Sequence, residues 1–418
     1  MGLRQSGGAR FYNLPVSYVM SNARPIVILT QAQDEHALLV GEVLRLLKAP
    51  FSLISHSSLP GRGDIAIGGD WNDPSISVGD VHSKVSDVRS FWNRRPPVGL
   101  NFPDRTHPAD FTHISDAFRH TISGLASLLD DQFAVNKQAS ARITSNKLNQ
   151  IRMAARCNLK IPKTLVSNDK EEILAFGSTV DVLCMKPLAV YAWKAGQALT
   201  VTLTTLVEDA TALDPESTAL MPQIFQEFVP KAYEVRLTMF GRVAVATRLS
   251  TATVGEGAID WRADGTYRNG MRRIEPPAEV IAQCRALMTA LDLRFGSFDF
   301  VVTPQDEWVF MEVNQAGQFA WQERHDPKSC LVEPFARYLM AASDDFSWDP
   351  AQASAELSYA SLATEVFEGE RYKAHWQETA PDTDQAFADE DAALATFNNG
   401  ETKSTRTATV LEAPSRGN

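Results

Sequence analysis

Apolar residues in the first third of the chain alternate between short continuous runs and helical spacing. The run Pro25–Thr30 is almost entirely apolar, which is typical of a strand buried on both faces. In Asp34–Leu47 the apolar residues recur at three- and four-residue intervals, which predicts a helix. Further strands are predicted at Phe51–Ser55, Ile65–Ile67 and Val88–Trp92, and a further helix at Phe111–Leu129. This order favours a small α/β domain with a parallel sheet over residues 25–134.

After residue 134 strand-like runs follow one another with few helices between them. The predicted helices are Asn136–Cys157, Ala278–Leu291 and Leu331–Met340. The predicted strands are Val180–Lys186, Leu199–Leu206, Gln223–Val229, Glu234–Phe240, Val243–Leu249, Ser297–Val302 and Trp308–Val313. Strands joined by short connections pair antiparallel, so residues 135–342 are expected to form an α+β domain.

The acidic character of the chain is concentrated near its C-terminus. The 418 residues include 51 Asp or Glu and 40 Lys or Arg, for a net charge of −11. Residues 343–418 hold 15 acidic and 5 basic side chains, a net −10 that leaves −1 for the rest. We therefore expect a mostly flexible acidic tail at 343–418 and a flexible N-terminus at 1–24. Short helices inside the tail are predicted at Ala351–Phe367 and Asp389–Phe397.

Composition argues against several classes of protein. A body without excess basic charge is a poor nucleic-acid binder, because phosphate contacts need a basic surface. No apolar run approaches the ~18–20 residues that cross a bilayer. The four cysteines are far apart and form no Cys-x-x-Cys pair, which fits a reducing compartment better than a zinc site or a disulfide framework. We expect a cytoplasmic protein that binds neither nucleic acid nor membrane; whether it forms a homodimer is left open.

The most informative segment is the predicted hairpin at residues 297–314. With a two-residue turn at Gln305–Asp306, Asp299 lies directly opposite Glu312, and Asn314 projects from the same face. The other face carries Phe298, Phe300, Met311 and Val313 and is apolar. Two opposed carboxylates repel each other, and a divalent cation with oxygen ligands offsets that repulsion. The alternative is a pair that is solvated, or matched by arginine, on an exposed sheet face.

Two lysines are candidates for phosphate binding. Lys186 ends the apolar strand Val182–Pro187 where a sheet meets a loop, and Lys147 lies in the helical run before the second domain. Either ammonium group suits phosphate oxygens, although a solvated surface lysine is the more common case. Neither a Walker-type loop nor a Gly-x-Gly-x-x-Gly sequence is present, so the two common phosphate-loop classes are excluded.

The segment Gln226–Gly241 contains a second group of candidate binding residues. Backbone beside Phe228 and Val229 offers a donor and an acceptor to an adenine edge in an apolar slot. Glu234, Arg236 and Thr238 alternate onto one face of a strand, and Arg248 is expected to share that face from the paired strand. Converging arginines suit carboxylate or phosphoryl groups; a salt-bridged sheet face is the alternative.

Taken in order, these segments resemble the ATP-grasp fold of RimK-like ligases, and within it the graspetide synthetases, which include the microviridin ligases. The resemblance is carried by Phe91–Pro97, Tyr233–Arg236, Ile259–Arg262 and Met311–Phe319, and it covers roughly residues 24–340. The Arg-Arg-Pro sequence and the Gly-Gln-Phe ending are the most specific to the subfamily. The resemblance implies a pre-ATP-grasp α/β domain followed by a two-lobed ATP-grasp domain.

The resemblance also implies a role for each candidate residue. Mg²⁺, taken as two ions, would be held by Asp299, Glu312 and Asn314. ATP would meet Lys147 and Lys186 at its phosphates, Glu227, Phe228 and Val229 at adenine, and Glu234 at the ribose. The acceptor carboxylate and the transferred phosphoryl group would face Arg236, Arg248 and Arg262.

Two positions depart from the pattern of these ligases. Gln315 stands where they usually have proline after the metal-binding asparagine, and the loop after Lys186 has Gly196 as its one glycine. The second difference puts the form of the lid over the phosphates in doubt. Neither difference removes a predicted ligand.

The activity implied is ATP-dependent joining of side-chain carboxylates to Ser/Thr hydroxyls or Lys amines in a ribosomally made precursor peptide, with a leader and a core. One alternative is a RimK-like ligase that adds an amino acid to a peptide or small molecule, and another is a non-catalytic ATP-binding module. The tail segment Gly400–Glu412 contains hydroxyls, a lysine and carboxylates. It is therefore either a fused substrate modified in cis or, as an acidic disordered tail, no substrate at all.

Overall fold

The computed structural model of the chain describes residues 24–60, 64–78, 81–95, 100, 102, 106–188, 192–195, 198–201, 204–249 and 270–377. The strands are β1 (Ile26–Thr30), β2 (Phe51–Ser55), β3 (Ile65–Gly68), β4 (Ser75–Val78), β5 (Val81–Lys84), β6 (Ser90–Asn93), β7 (Phe133–Val135), β8 (Thr164–Ser167), β9 (Leu183–Lys186), β10 (Ala192–Ala195), β11 (Ala198–Val201), β12 (Thr205–Val207), β13 (Gln223–Glu227), β14 (Tyr233–Phe240), β15 (Val243–Leu249), β16 (Arg272–Ile274), β17 (Phe295–Val302) and β18 (Trp308–Asn314). The α-helices are α1 (Glu35–Leu46), α2 (Phe111–Leu129), α3 (Gln138–Thr144), α4 (Lys147–Arg156), α5 (Lys170–Gly177), α6 (Pro215–Ala219), α7 (Ala278–Ala290), α8 (Ala320–His325), α9 (Val332–Ala341), α10 (Tyr359–Glu368) and α11 (Glu370–Gln377).

The described residues divide into two compact units. The first unit contains residues 24–139, Phe240–Arg242 and 330–377, and the second contains Ser140–Met239 and Val243–Ser329. The boundary near residue 139 lies five positions after the predicted one at 134. Residues 330–342, predicted to belong to the second domain, are part of the first unit instead.

The first unit is built on a parallel sheet with the strand order β2-β1-β6-β7. All five residues of β1 and of β2 are buried, which explains their continuous apolar sequence. Helix α2 packs its buried Ile122, Leu125 and Leu129 into the same core as Val27 and Phe91. The prediction of an α/β unit with a parallel sheet is therefore confirmed. A small antiparallel sheet, β3-β4-β5, was only partly predicted.

A buried ion cluster lies at the carboxyl end of this sheet. Asp34 caps α1 by accepting hydrogen bonds from the backbone of His36 and Ala37, both at 3.0 Å. Its carboxylate also lies 3.1 Å from the Nε atoms of Arg94 and Arg95. Burial alone raises the pKa of Asp34, but the two guanidinium groups outweigh it and hold the pKa well below its usual range. The Arg-Arg pair of the resemblance thus has a structural contact here.

The first part of the predicted flexible tail is folded. Within residues 343–377, α10 buries Tyr359, Leu362 and Val366, and α11 buries Tyr372. The hydroxyl of Tyr372 donates to Oε2 of Glu42 on α1 at 2.5 Å. Helix α10 overlaps the helix predicted at Ala351–Phe367, and its buried apolar residues recur at three- and four-residue spacing, which is sufficient to dock a helix in the first unit. The predicted helix at Asp389–Phe397 and the N-terminal segment up to residue 23 lie outside the described residues.

The second unit contains two main sheets. One is antiparallel with the order β12-β9-β13-β8, and the other has the order β16-β15-β14-β17-β18. The five-stranded sheet packs its apolar face, including Leu237 and Phe298, against Ala154 of α4 and Leu287 of α7. The predicted single helix Asn136–Cys157 is instead two helices, because Asn146 caps α4 by accepting from the backbone of Asn149 at 3.1 Å.

None of the helices in the described part of the chain is long and apolar enough to cross a membrane.

The buried histidines of the first unit lead to a prediction about pH. Burial lowers the pKa of His375 to about 4, and burial with the adjacent Arg94 lowers that of His36. Both histidines protonate more readily when the chain unfolds, so the free energy of unfolding falls as pH drops from about 6.5 toward 4. With its pKa lowered from about 6.5 to about 4, His375 accounts for about 1.4 kcal/mol of that loss at pH 5.5. Replacing His375 with Leu is expected to remove its share.

Urea unfolding of the wild type and His375→Leu at pH 7.5 and 5.5 measures this difference. An exposed histidine on α2 provides the control, His113→Gln, which should keep the wild-type pH dependence. An unchanged pH dependence in His375→Leu would show that the ring is not neutral and buried in the folded chain.

Candidate functional site

The predicted acidic pair is present on neighbouring strands of the second unit. Strands β17 and β18 are antiparallel, and Asp299 pairs with Glu312 while Ser297 pairs with Asn314. The predicted register at these positions is confirmed. Beyond Asp299 the register shifts at a bulge, so Phe300 pairs with Phe310.

The turn and the bulge each differ from the prediction. Val302 pairs with Trp308, so the connection is the five residues 303–307 rather than a two-residue turn. That difference displaces the register by one residue, and the extra residue of the bulge restores it before Asp299 is reached. The bulge also changes the position of Met311, which was expected in the apolar face. Met311 is half-buried, and its sulfur lies 4.0 Å from Nζ of Lys186.

A basic side chain lies against each carboxylate of the pair. Arg236 meets Asp299 through two contacts, Nε to Oδ1 at 2.6 Å and Nη2 to Oδ2 at 3.2 Å. Nζ of Lys147 lies 3.7 Å from Oε2 of Glu312. The two carboxylates are 13% and 16% exposed, and Arg236 is 4% exposed. The pair is therefore matched by charge in a largely buried setting, not on an open sheet face.

Helix α8 holds Arg236 from two sides. The guanidinium lies 5.7 Å from the ring centroid of Trp321, within range of a cation–π contact. The next residue, Gln322, is fully buried, accepts a hydrogen bond from Thr238 at 2.6 Å and donates to Thr247 at 2.9 Å. Its amide also donates to the backbone carbonyl of Arg236 at 3.4 Å. Sequence reasoning missed this support, although Trp321 and Gln322 lie two and three residues after the Gly-Gln-Phe ending.

The chain between β18 and α8 passes very close to β17. A Cβ atom on Gly317 would lie 2.6 Å from Cβ of Ser297 and 3.1 Å from Cβ of Asn314. Real Cβ atoms do not approach that closely, so the chain needs glycine at this position. The glycine of the Gly-Gln-Phe ending thereby allows Asn314 and α8 to lie beside the same strand.

Arg248 lies on the other face of the sheet from Arg236. Its neighbour Thr247 joins the hydrogen bonds on the Arg236 face, whereas Ala246 lies in the apolar core on the opposite face. The guanidinium of Arg248 stacks over the ring of Tyr233 at 4.0 Å from its centroid. The expectation that the two arginines share a face is wrong, because the two-residue connection between β14 and β15 shifts the alternation by one residue.

The remaining nucleotide candidates lie around the end of β13. Glu227 is its last residue, and its N–H donates to the carbonyl of Lys163 at 3.0 Å. The N–H of Phe228 donates to the carbonyl of Val182 at 2.9 Å. Phe228 and Val229 are half-buried. The segment is thus fixed by backbone hydrogen bonds, and the donor of Phe228 is already engaged.

An ion pair not predicted from the sequence follows this segment. Nζ of Lys231 contacts Oε1 of Glu234, and both side chains are largely buried. The three-residue spacing between them was the available signal. Arg262, a predicted catalytic residue, lies outside the described residues.

The chemistry of the donor set fits Mg²⁺ better than a transition metal. No group of three or more His, Cys, Asp or Glu side chains suited to a metal occurs in the described part of the chain. The candidate set is two carboxylates in register, Asp299 and Glu312, with the amide of Asn314 two residues further along β18. Mg²⁺ typically takes one or two carboxylates and completes its shell with water and phosphate oxygens. These residues fit that requirement.

Comparison with solved structures identifies the fold. An ATP-grasp ligase from Chryseobacterium gregarium, RiPP-associated and solved with ADP and a leader and core peptide, is 21% identical, with a TM-score of 0.70 over 77% of this chain and 97% of its own. The macrocyclase MdnC of Microcystis aeruginosa, bound to the precursor peptide MdnA, is 23% identical, with a TM-score of 0.68 over 76% and 100%. The ATP-grasp ligase PsnB with a minimal precursor, Mg and ADP is 20% identical, with a TM-score of 0.60 over 76% and 97%.

The chain therefore has the fold of the ATP-grasp ligases. No protein-family model matches the sequence, and no curated protein sequence matches it.

The close approach at Gly317 gives a prediction about stability. Gly317→Ala is expected to lower the free energy of unfolding by about 1–3 kcal/mol, because the added methyl forces Ser297 and Asn314 apart. Gly124→Ala, on α2 with nothing within 4 Å of the added Cβ, should raise it by about 0.5–1 kcal/mol. Urea unfolding measures both. A neutral Gly317→Ala would contradict the described approach of β17.

Proposed function

We propose that the protein is an ATP-dependent ligase that joins side-chain carboxylates to Ser/Thr hydroxyls or Lys amines within a ribosomally made precursor peptide. The observation that carries this is the acidic pair Asp299 and Glu312, in register and flanked by Arg236 and Lys147. That arrangement occurs in the fold of ligases that have been solved with ADP, Mg and precursor peptides.

The nucleotide is proposed to bind along the second unit. Lys147 and Lys186 would contact the phosphates, since one ammonium group lies beside Glu312 and the other beside Met311, the residue before it. The segment Glu227–Val229 would take adenine through backbone groups other than the N–H of Phe228. Glu234 is assigned to the ribose, and its pairing with Lys231 sets the direction of its carboxylate.

Asp299, Glu312 and Asn314 are the residues proposed to hold Mg²⁺. The ion, when bound, neutralises charge on the phosphate oxygens during phosphoryl transfer. Arg236 is proposed to act beside the acceptor carboxylate, because its buried guanidinium already makes a two-point contact with a carboxylate in this structure. Arg262 remains a proposed contact to the same groups, whereas Arg248 lies on the other face of the sheet over Tyr233 and is no longer assigned a contact to them.

The proposed reaction has two steps. The γ-phosphoryl group of ATP moves to a side-chain carboxylate oxygen, which gives an acyl phosphate and ADP. A hydroxyl oxygen or amine nitrogen then attacks the acyl carbon, the C–O bond to phosphate breaks, and the nucleophile releases its proton. Each ester or amide therefore lowers the mass of the peptide by one water. Such chemistry depends on positioning and charge stabilisation rather than on a covalent enzyme nucleophile.

The test uses the purified full chain with ATP, Mg²⁺ and the small peptides encoded beside its gene. ADP release together with a product that is lighter by whole waters supports the proposal. A product heavier by one amino-acid residue would assign the chain to the residue-adding ligases instead. ADP release at background level with every neighbouring peptide would favour a non-catalytic nucleotide-binding module.

With an active peptide, Glu312→Gln is expected to lower product formation by at least about 100-fold. The substitution removes the negative charge that would hold the cation, and the cation would stabilise the charge that develops on the phosphoryl group. Glu307→Gln is the matched control, since Glu307 is exposed and pairs only at the surface with Lys160 at 2.6 Å. Its activity should stay near that of the wild type. Wild-type turnover by Glu312→Gln would overturn the assignment of this site.

A further inference from the structure

Gln150 makes an unusually complete set of hydrogen bonds for one side chain. Its Oε1 accepts from the backbone N–H of Val313 at 2.9 Å, and its Nε2 donates to the carbonyl of the same residue at 3.0 Å. The second N–H of the amide donates to the carbonyl of Thr144 at 2.7 Å. Gln150 is 5% exposed. Both amide donors are therefore used, and its oxygen accepts one bond, in a buried setting.

The two bonds to Val313 imitate the pairing of a neighbouring β-strand. Val313 lies between Glu312 and Asn314 on β18. The side chain of Gln150 therefore hydrogen-bonds to the backbone between two of the proposed metal ligands. Hydrogen bonds to the strand backbone fix the position of β18 relative to α4, and they do so without using the side chain of Glu312 or Asn314.

The other end of this contact is helix α4. Lys147 stands three residues before Gln150, so the two side chains lie on neighbouring positions of one helical face. Lys147 reaches Glu312 at 3.7 Å while Gln150 holds the next residue of the same strand. The bond to Thr144, the last residue of α3, also fixes the turn that leads into α4. One amide thus sets the spacing between the phosphate-binding lysine and the acidic strand.

We infer that Gln150 is a positioning residue of the nucleotide site: it holds α4 against β18 so that Lys147, Glu312 and Asn314 meet the same Mg²⁺-nucleotide. The inference rests on the proposed function. It assigns to Gln150 no contact with substrate. Loss of the hydrogen bonds of Gln150 lets Lys147 and the carboxylates move apart. Nucleotide affinity is then expected to fall by more than the free energy of unfolding does.

The test measures the dissociation constant of Mg·ADP by calorimetry on the folded full chain. Gln150→Met keeps the length of the side chain and removes all three bonds; Gln150→Glu keeps one acceptor and sets a carboxylate against two carbonyls. Each variant is expected to bind Mg·ADP at least about tenfold more weakly, the size seen when groups that orient metal ligands are lost. Gln150→Glu carries the test if Gln150→Met does not fold.

Ser140→Ala is the matched control. It removes one hydrogen bond of the same unit, from Ser140 to Asp292 at 3.0 Å, without touching β18. Its thermal midpoint should fall while its affinity for Mg·ADP stays at the wild-type value. If the Gln150 variants lose stability and keep wild-type affinity in the same way, Gln150 is merely structural and the inference fails.

A double-mutant cycle with Lys147→Met distinguishes positioning from general destabilisation. If Gln150 acts by holding Lys147 against Glu312, Gln150→Met should cost at least about threefold less affinity in the Lys147→Met background than in the wild type. Equal losses in both backgrounds would overturn the inference. Wild-type chain that does not bind Mg·ADP at all would instead refute the proposed function, so the two failures are distinguishable.

Discussion

The second unit is organised around the repulsion between two carboxylates. Asp299 and Glu312 lie directly opposite each other on adjacent strands, where like charges destabilise a sheet. In the structure Arg236 and Lys147 each lie against one of them and offset that repulsion. Much of the surrounding architecture maintains this arrangement: α8 supports the arginine, and Gln150 fixes the strand beside the lysine. We propose that a bound cation replaces part of this protein charge at the acidic pair.

The buried carboxylate of Asp34 in the first unit has a different environment. Asp34 is enclosed by two arginines and two backbone N–H groups, so its charge is fully satisfied by the protein. Such a group stabilises the start of a helix and the end of a sheet, and it has little capacity left for a ligand. The side chains of Asp299 and Glu312 are 13% and 16% exposed, whereas that of Asp34 is 1% exposed. This residual exposure separates the candidate binding carboxylates from the structural one.

Alternation along strands made the acidic pair predictable, since residues two apart share a face. The prediction at Asp299 was correct although the turn was wrong, because the bulge at Met311 cancelled the error. The face assigned to Arg248 was wrong. That face depends on the number of residues in the connection between β14 and β15, and with two residues there Arg248 lies on the core side of the sheet. Gln150 was not predicted because its partner is backbone 163 residues away, which no local pattern reveals. Helix α11 was not predicted, because the prediction for residues 343–418 followed their net negative charge rather than the few apolar residues of this helix.

We propose that Asp299, Glu312 and Asn314 form one metal site for a bound nucleotide. A crystal structure of the chain grown with ADP and Mn²⁺ tests it most directly, since the anomalous signal of manganese locates the ion without assuming its ligands. We predict a peak at about 2 Å from oxygen atoms of all three side chains, bridged to the phosphates of ADP. A nucleotide-bound structure with manganese coordinated elsewhere, and with Arg236 still paired to Asp299, would contradict this assignment.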